Sequence, residues 1–299
     1  YDPNDFERAE RKLEVRQEQL EESVSRYLAE LDRADRDPTR VTEDRVAHIQ
    51  KRIQMIRARM RELDDIRAQM EASPDGQVAL TDPDARCMAS RGRDTPMVGY
   101  NVQTAVDAQH HLIVAHEVTN VGNDRTQLAP MSKKAREAMR CDPEAAFTAL
   151  ADRGYFSGEQ ILQCAQAGIT PLVPKTMTSN NRARGFFDKR DFRYQPDSDT
   201  FLCPAGQQAI RRFDTIEKGQ KIIKYWSSAC TRCPIKSTCT TGEYRRITRW
   251  EHEHVLDAMQ QRLDDTPDAM RVRRRTVEHP YATLKAWMGA THFLTKTLP

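Results

Sequence analysis

Two carboxylates, far apart in the chain, set the chemistry this sequence can do. Glu278 lies in the run Arg271-Val272-Arg273-Arg274-Arg275-Thr276-Val277-Glu278-His279-Pro280-Tyr281-Ala282-Thr283-Leu284-Lys285. On a helix, Arg274, Glu278 and Lys285 fall at i, i+4 and i+11 and share one face. One acid then stands between two cations. The carboxylate can hold a divalent metal and the cations can hold phosphates. Asp152 follows the apolar run Ala149-Leu150-Ala151 and precedes Arg153-Gly154-Tyr155-Phe156, the pattern of a strand that ends in an acid. An acid at a strand end and an acid on a basic helix are two parts of a metal-dependent phosphoryl-transfer site. Taken singly, Asp152 also reads as a local cap for the helix starting near Ser157. Glu278 taken singly also reads as a surface partner of Arg274.

Cysteine supplies a second chemistry. Cys203, Cys230, Cys233 and Cys239 are spaced C-x26-C-x2-C-x5-C, and Cys203 is followed by Pro-Ala-Gly. A C-x2-C turn aims two thiolates the same way, and four such ligands close a tetrahedral structural Zn2+ site. Free thiols and a disulfide pair are the alternatives. Cys87, Cys141 and Cys164 are isolated and read as small core or surface residues. Basic residues crowd the same segment, among them Arg211, Arg212, Arg245, Arg246 and Arg249. Tyr225, Trp226, Tyr244 and Trp250 interleave with them. Cations neutralise phosphates, and a ring such as Trp226 can stack on an unpaired base. The plainer reading gives the aromatics to a small core of the segment itself. His252 and His254 read as residues of an exposed helix start.

These residues need elements to position them. Residues 5–72 read as two long helices. The first carries Leu13, Leu20, Val24, Tyr27 and Leu31. The second carries Val46, Ile49, Ile53, Ile56, Met60, Leu63 and Ile66 at coiled-coil steps of three and four. Asp37-Pro38-Thr39 breaks the run, which predicts an antiparallel helical hairpin over 1–72. Past a linker at 73–81, strands are expected at 98–107 and 112–118, with Ala108-Gln109-His110-His111 as the turn. A helix over 123–139 would take Asn123 or Asp124 as its N-cap. A strand at 145–151, a helix at 158–167 stopped by Gly168 and a strand at 169–174 follow. The order β-β-α-β-α-β predicts an α+β fold, a mixed sheet layered between helices. The divisions expected are 1–72, a core over 73–175, a Cys-rich basic insertion over 176–250, and a helical part over 251–299 carrying Glu278.

Composition narrows the class. The chain has 299 residues, enough for more than one core. Mean hydropathy is −0.77 and 30% of residues are charged, and no run approaches the ~18 apolar residues of a membrane span. A cytoplasmic protein without a membrane partner is the expectation. The net charge of +3 is too small to argue for nucleic acid, so its distribution matters more. Residues 1–72 hold 15 Lys/Arg against 18 Asp/Glu, and residues 203–250 hold 10 against 3. The helical hairpin therefore reads as a solvated spacer, and the basic insertion as the DNA-facing part.

Several of these motifs together resemble the DDE transposases of bacterial insertion sequences. Arg274, Glu278 and Lys285 match the Arg-x3-Glu-x6-Lys signature, although Arg271 stands where that signature has a Tyr. Ala151-Asp152-Arg153-Gly154-Tyr155 is similar to the second-acid motif. Gly99-Tyr100-Asn101-Val102-Gln103-Thr104-Ala105-Val106-Asp107 and Thr291-His292-Phe293-Leu294 also resemble this group. The resemblance implies an RNase H-like core and metal-dependent cleavage and strand transfer on double-stranded DNA, at element ends and target. It implies Asp152 and Glu278 as ligands of Mg2+ or Mn2+, Arg274 and Lys285 as phosphate contacts, and a homodimer. It also implies a first catalytic Asp on the first strand of the core, and no such motif occurs here. Asp82, Asp84, Asp107 and Asp124 are substitutes, but each reads more simply as a turn or cap residue. The first Asp is expected upstream of Tyr1 in a chain truncated at both ends, leaving this fragment inactive. Two other readings compete: a non-catalytic, zinc-stabilised DNA-binding or assembly remnant, and a metal-dependent nuclease without transposition. Arg273 and Arg275 are expected off the active face.

Overall fold

The computed structural model describes residues 3–37, 42–73, 75–88, 97–142, 144–176, 179–290 and 297–298. The chain forms two compact units. One takes residues up to Asn101, with Thr119–Gly122 and the described residues 297–298. The other takes Val102–Val118 and Asn123–Phe293. Thr291-His292-Phe293-Leu294 lies outside the described residues.

The first unit is built on α1 (Pro3–Arg36) and α2 (Glu43–Ala72). Thr42 precedes α2 in extended conformation, and Glu43 and Asp44 in its first turn complement the helix dipole. Bonds from Gln17 to Asp64 and from Arg45 to Glu30 fix the antiparallel pairing. Leu20 and Ala34 of α1 are buried, as are Ile49, Ile53, Leu63 and Met70 of α2. Val46, Ile56, Met60 and Ile66 are half-buried beside them, so the narrow apolar seam read from periodicity is the packed one. Two short antiparallel strands, β1 (Arg86–Met88) and β2 (Met97–Gly99), complete the described part of this unit's sheet structure.

The second unit begins with β3 (Asn101–Val106) and β4 (Ile113–Thr119), closed by a turn in which Asp107 donates its N–H to Leu112. Then come α3 (Leu128–Ala138), β5 (Phe147–Leu150), α4 (Gly158–Gln166) and β6 (Ile169–Leu172). Strands β5 and β6 are parallel with α4 as their crossover. Gly168 ends α4 at φ +69°, a left-handed position that favours glycine. The insertion folds as a five-stranded antiparallel sheet of β7 (Arg193–Gln195), β8 (Thr200–Leu202), β9 (Gln208–Glu217), β10 (Gln220–Trp226) and β11 (Ile247–Trp250). Helices α5 (Glu253–Asp265) and α6 (Ala269–Ala282) follow, and a π-helical turn spans Thr283–Trp287.

Two cores hold this unit. Ile161 and Cys164 of α4, Ile169 of β6, Leu256 and Met259 of α5 and Trp250 of β11 form one. Phe192, Phe201, Ala209, Tyr225, Cys239 and Ile247 form the other, inside the insertion. The aromatic residues therefore divide: Tyr225 serves the insertion's own core, while Trp250 anchors it to the helices. The fold is α+β as expected. The single mixed sheet is not formed: β3–β4 and β5–β6 are separate pairs, because no described strand hydrogen-bonds between β3 and β5.

Candidate active site

Asp152 stands directly after β5, where the strand hands over to a short 3-10 turn, Arg153–Tyr155. Its Oδ1 accepts from the Gly154 N–H at 2.8 Å, so the local capping role is real. Its Oδ2 accepts from Arg273 Nη2 at 2.8 Å. This corrects the expectation that Arg273 faces away. Thr276 and Pro280 are buried on α6, and Arg273, one turn before Thr276, is carried inward with them.

The same rotation turns Glu278 outward. Its side chain is 68% exposed and lies 4.0 Å from Arg274, itself 72% exposed. Lys285 falls in the π-helical turn, whose i→i+5 bonding departs from the 3.6-residue period, so the face shared with Arg274 and Glu278 does not extend to it. Its ammonium lies over the Tyr281 ring at 5.5 Å. Tyr281 in turn ties α6 to β3, its hydroxyl 3.0 Å from Thr104 Oγ1.

Asp124 is not the N-cap of α3. That helix starts at Leu128, and Gln127 precedes it without a side-chain cap. The Asp124 carboxylate accepts instead from Gln103 Nε2 at 2.7 Å. Gln103, on β3, is 1% exposed, and its Oε1 accepts from the Tyr155 hydroxyl at 2.5 Å. Burial raises the Tyr155 pKa, and the neighbouring Asp124 and Asp152 carboxylates raise it further. Gly154 separates the two acids: a Cβ there would lie 2.9 Å from Asp152 Oδ1 and 3.3 Å from Asp124 Oδ2. Sequence reading missed Gln103, Tyr155 and Arg273 as parts of this cluster. A glutamine within a strand and an arginine among arginines carry no mark of their partners.

The other substitute acids do local work. Asp107 accepts from the Gln109 and His110 N–H groups and the His110 ring, and these bonds lower its pKa. In the first unit, Asp82 accepts from the Tyr100 hydroxyl with both oxygens and from the Thr297 N–H. Burial and the Asp82 carboxylate push the Tyr100 phenol up to about 12. Asp84 accepts from the Leu298 N–H at 2.9 Å.

Cys203, Cys230, Cys233 and Cys239 line one cavity of the insertion, together with Phe192 and Arg245. Cys203 Sγ accepts from the Gln207 N–H at 3.3 Å. The Cys239 thiol is raised by burial, with Arg245 opposing and the other three thiols adding. Arg245 is turned inward. Its Nη2 donates to the Phe187 carbonyl, its guanidinium lies 5.4 Å over Phe192, and its buried Nε has no hydrogen-bond partner. Arg249 is 8% exposed, lies 3.7 Å over Tyr194 and pairs with Asp257. Both were expected on DNA; both are committed inside the fold. Arg211 pairs with Asp214 and Asp199. Arg212 and the exposed Arg246 lie 5.3 and 5.7 Å over the Trp226 ring, with Tyr244 tilted beside it.

Among the described residues, no three His, Cys, Asp or Glu side chains are grouped so as to hold a metal ion. Gly154 leaves no room for a side chain between the two acids, since a Cβ there would crowd the Asp152 carboxylate. Two carboxylates suit an Mg2+-type ion, which takes one or two from a protein and keeps several waters. A comparison with curated proteins and one with solved structures returned no match. A comparison with protein-family models matched residues 89–299 to the transposase DDE domain. That family acts on DNA and uses divalent metal ions. The match covers more than half of the chain, its span contains Asp152, Glu278 and the cluster around them, and the chain therefore belongs to the DDE-domain transposases of insertion sequences.

Proposed function

We propose that this chain carries the catalytic region for cutting the ends of an insertion sequence and joining them to target DNA. Asp152 is its central acid. The observation that supports this most is the bond from Arg273 to Asp152, which fastens the helix bearing Glu278 to the end of β5. Asp152 and Glu278 are the acids that would hold Mg2+ or Mn2+, and the ion would supply activation of the attacking oxygen and stabilisation of the leaving oxygen. Arg274 and Lys285, both exposed, hold phosphates of double-stranded DNA. In the insertion, Arg246 and Arg212 on the Trp226 ring take the DNA-facing role, with Arg211 beside them. A structural Zn2+ on the four cysteines is part of the same proposal: they line one cavity, although their side chains would have to close in to form a tetrahedral site. So are a homodimer and a cytoplasmic location; none of the described helices is long and apolar enough to cross a membrane.

The expected behaviour of the isolated chain is DNA binding without cutting: Glu278 is turned to solvent, and among the described residues no three acids are grouped to hold a metal ion. The alternative of a zinc-stabilised, non-catalytic module predicts the same for the isolated chain, and a nicking assay tests both the inactivity and the site. The chain is incubated with labelled duplex DNA and Mg2+ or Mn2+, alone and with Asp152→Asn as control. No nicking by either form is expected. Nicking by the wild type that Asp152→Asn abolishes would overturn inactivity and keep the site. Nicking that survives Asp152→Asn would overturn the site.

A further inference from the structure

We propose that Cys230 and Cys233 are a redox-active dithiol, closed to a disulfide by a low-molecular-weight disulfide of the glutathione class. Both belong to the short 3-10 turn that follows β10, Cys230 inside it and Cys233 directly after it. The Cys233 N–H donates to the Cys230 carbonyl at 3.4 Å, so the turn's own hydrogen bond closes them as an i, i+3 pair. Side chains at i and i+3 of a 3-10 turn stand one above the other. The Cα atoms of such a pair lie within ~7 Å, and a disulfide spans ~4.4–6.8 Å. Both side chains line the same cavity. A bridge therefore asks for little movement of the backbone.

The other two thiols of the cavity are held differently. Cys239 is buried, and Cys203 Sγ accepts from the Gln207 N–H within its own turn. Cys230 and Cys233 are half-buried, and Ser228, Ala229, Thr231 and Arg232 around them are exposed, so a small disulfide can approach. One protein thiolate attacks a sulfur of that disulfide, whose S–S bond breaks; a mixed disulfide forms and one small thiolate leaves. The second protein thiolate attacks the protein sulfur of the mixed disulfide and expels the other small thiolate. Two electrons pass to the oxidant, and the two protein protons end on the two released thiols. Inside a cell such a bridge is transient and redox-sensing rather than structural. It staples the turn whose Ser228 hydroxyl takes the Arg212 guanidinium at 2.7 Å. A bridge and a metal bond are exclusive uses of the same two thiols, so the dithiol stands independently of the zinc reading.

The test equilibrates the full chain, as purified, with mixtures of oxidised and reduced glutathione. Remaining thiols are then alkylated and mapped by mass spectrometry, and zinc is measured on the same samples. Two of the chain's seven free thiols are expected to disappear together, as one intrachain bridge between Cys230 and Cys233. Either single variant, Cys230→Ser or Cys233→Ser, should stop at a mixed disulfide on the remaining cysteine. Cys203→Ser should still close the bridge. The pairing is read on the wild-type chain and does not depend on how a variant folds. Survival of all seven thiols in the most oxidising mixture would overturn the dithiol. So would a bridge that joins Cys203, Cys239 or a second chain instead. Zinc retained with Cys230 and Cys233 protected from oxidation would overturn it and keep the zinc reading. A zinc-free chain that closes the bridge would keep the dithiol and remove the zinc reading.

Discussion

Glu253 shows how much of this molecule rests on single polar contacts. It is 5% exposed at the first turn of α5, and it accepts from Lys189 Nζ at 2.7 Å, Lys175 Nζ at 3.4 Å and the Trp250 N–H at 3.2 Å. One carboxylate thus joins the helical core, the insertion and the segment after β6. Burial pushes its pKa up, but Lys189, Lys175 and the hydrogen bonds outweigh that and hold it below the ordinary value. A depressed carboxylate stabilises the fold above its unfolded pKa, ~4.3, and the stabilisation is lost as pH falls through the folded value. Removing one partner of a buried pair costs ~3–5 kcal/mol. Both lysines are about 40% exposed, so solvent screening reduces the expectation for Glu253→Gln to ~1–3 kcal/mol at pH 7. Urea unfolding of both proteins should show this gap at pH 7 and its disappearance in acid below the depressed pKa. Equal stability at pH 7 would remove Glu253 as the joining residue.

At the scale of elements, the four cysteines belong to the turns that close the insertion. Cys203 opens the β8–β9 turn, Cys230 lies on the first of two short 3-10 turns between β10 and β11, and Cys233 and Cys239 directly follow the first and the second. The core they border is small, so a metal bond here would contribute directly to folding. Elemental analysis should return about one zinc per chain, and a Cys230→Ser/Cys233→Ser double variant should lose it. The variant should also unfold first in this sheet, read by hydrogen exchange at β9 and β10. Full zinc loading of the double variant would rule out these ligands. The elements themselves were legible in large part. The 3–4 spacing of α2 and the turn residues at Gly168 and Asp107 depend on neighbours in sequence, which a reader can see. The face of α6 was not legible. Periodicity gives only relative angles along a helix, and the side that packs was decided by Thr276, Pro280 and an ion pair to a residue 121 positions away. The same limit hid the partner of Asp124, Gln103, which lies on another element. The apolar run before Asp152 put that residue just past a strand end, where the structure has it.

Across the whole molecule, charge is placed where geometry lets only part of it face outward. Residues 203–250 carry 10 Lys/Arg against 3 Asp/Glu, yet Arg245 and Arg249 of that set are committed internally. Binding to duplex DNA should therefore depend on the exposed members. Each phosphate contact adds ~0.9 to the slope of log affinity against log salt. Arg246→Glu should flatten that slope by about one contact and weaken binding to any sequence, measured by fluorescence anisotropy across a salt series. Arg245→Glu should act differently. It removes the bond to the Phe187 carbonyl and places an acid beside four thiols, so it should lower the melting temperature of the insertion. Reversal of Arg8 and Arg11 should do little, since residues 1–72 hold 15 basic against 18 acidic residues and carry no net positive charge to attract DNA. Trp226 already has Arg212 and Arg246 over its ring, so an unpaired base must displace or extend that stack. Trp226→Ala should accordingly weaken frayed or single-stranded ends more than intact duplex, by ~1–3 kcal/mol if a base stacks there. A larger effect from Arg8 and Arg11 than from Arg246 would move the DNA-binding surface to the helical hairpin. It would also show that balanced net charge along α1 conceals a basic stripe on one of its faces.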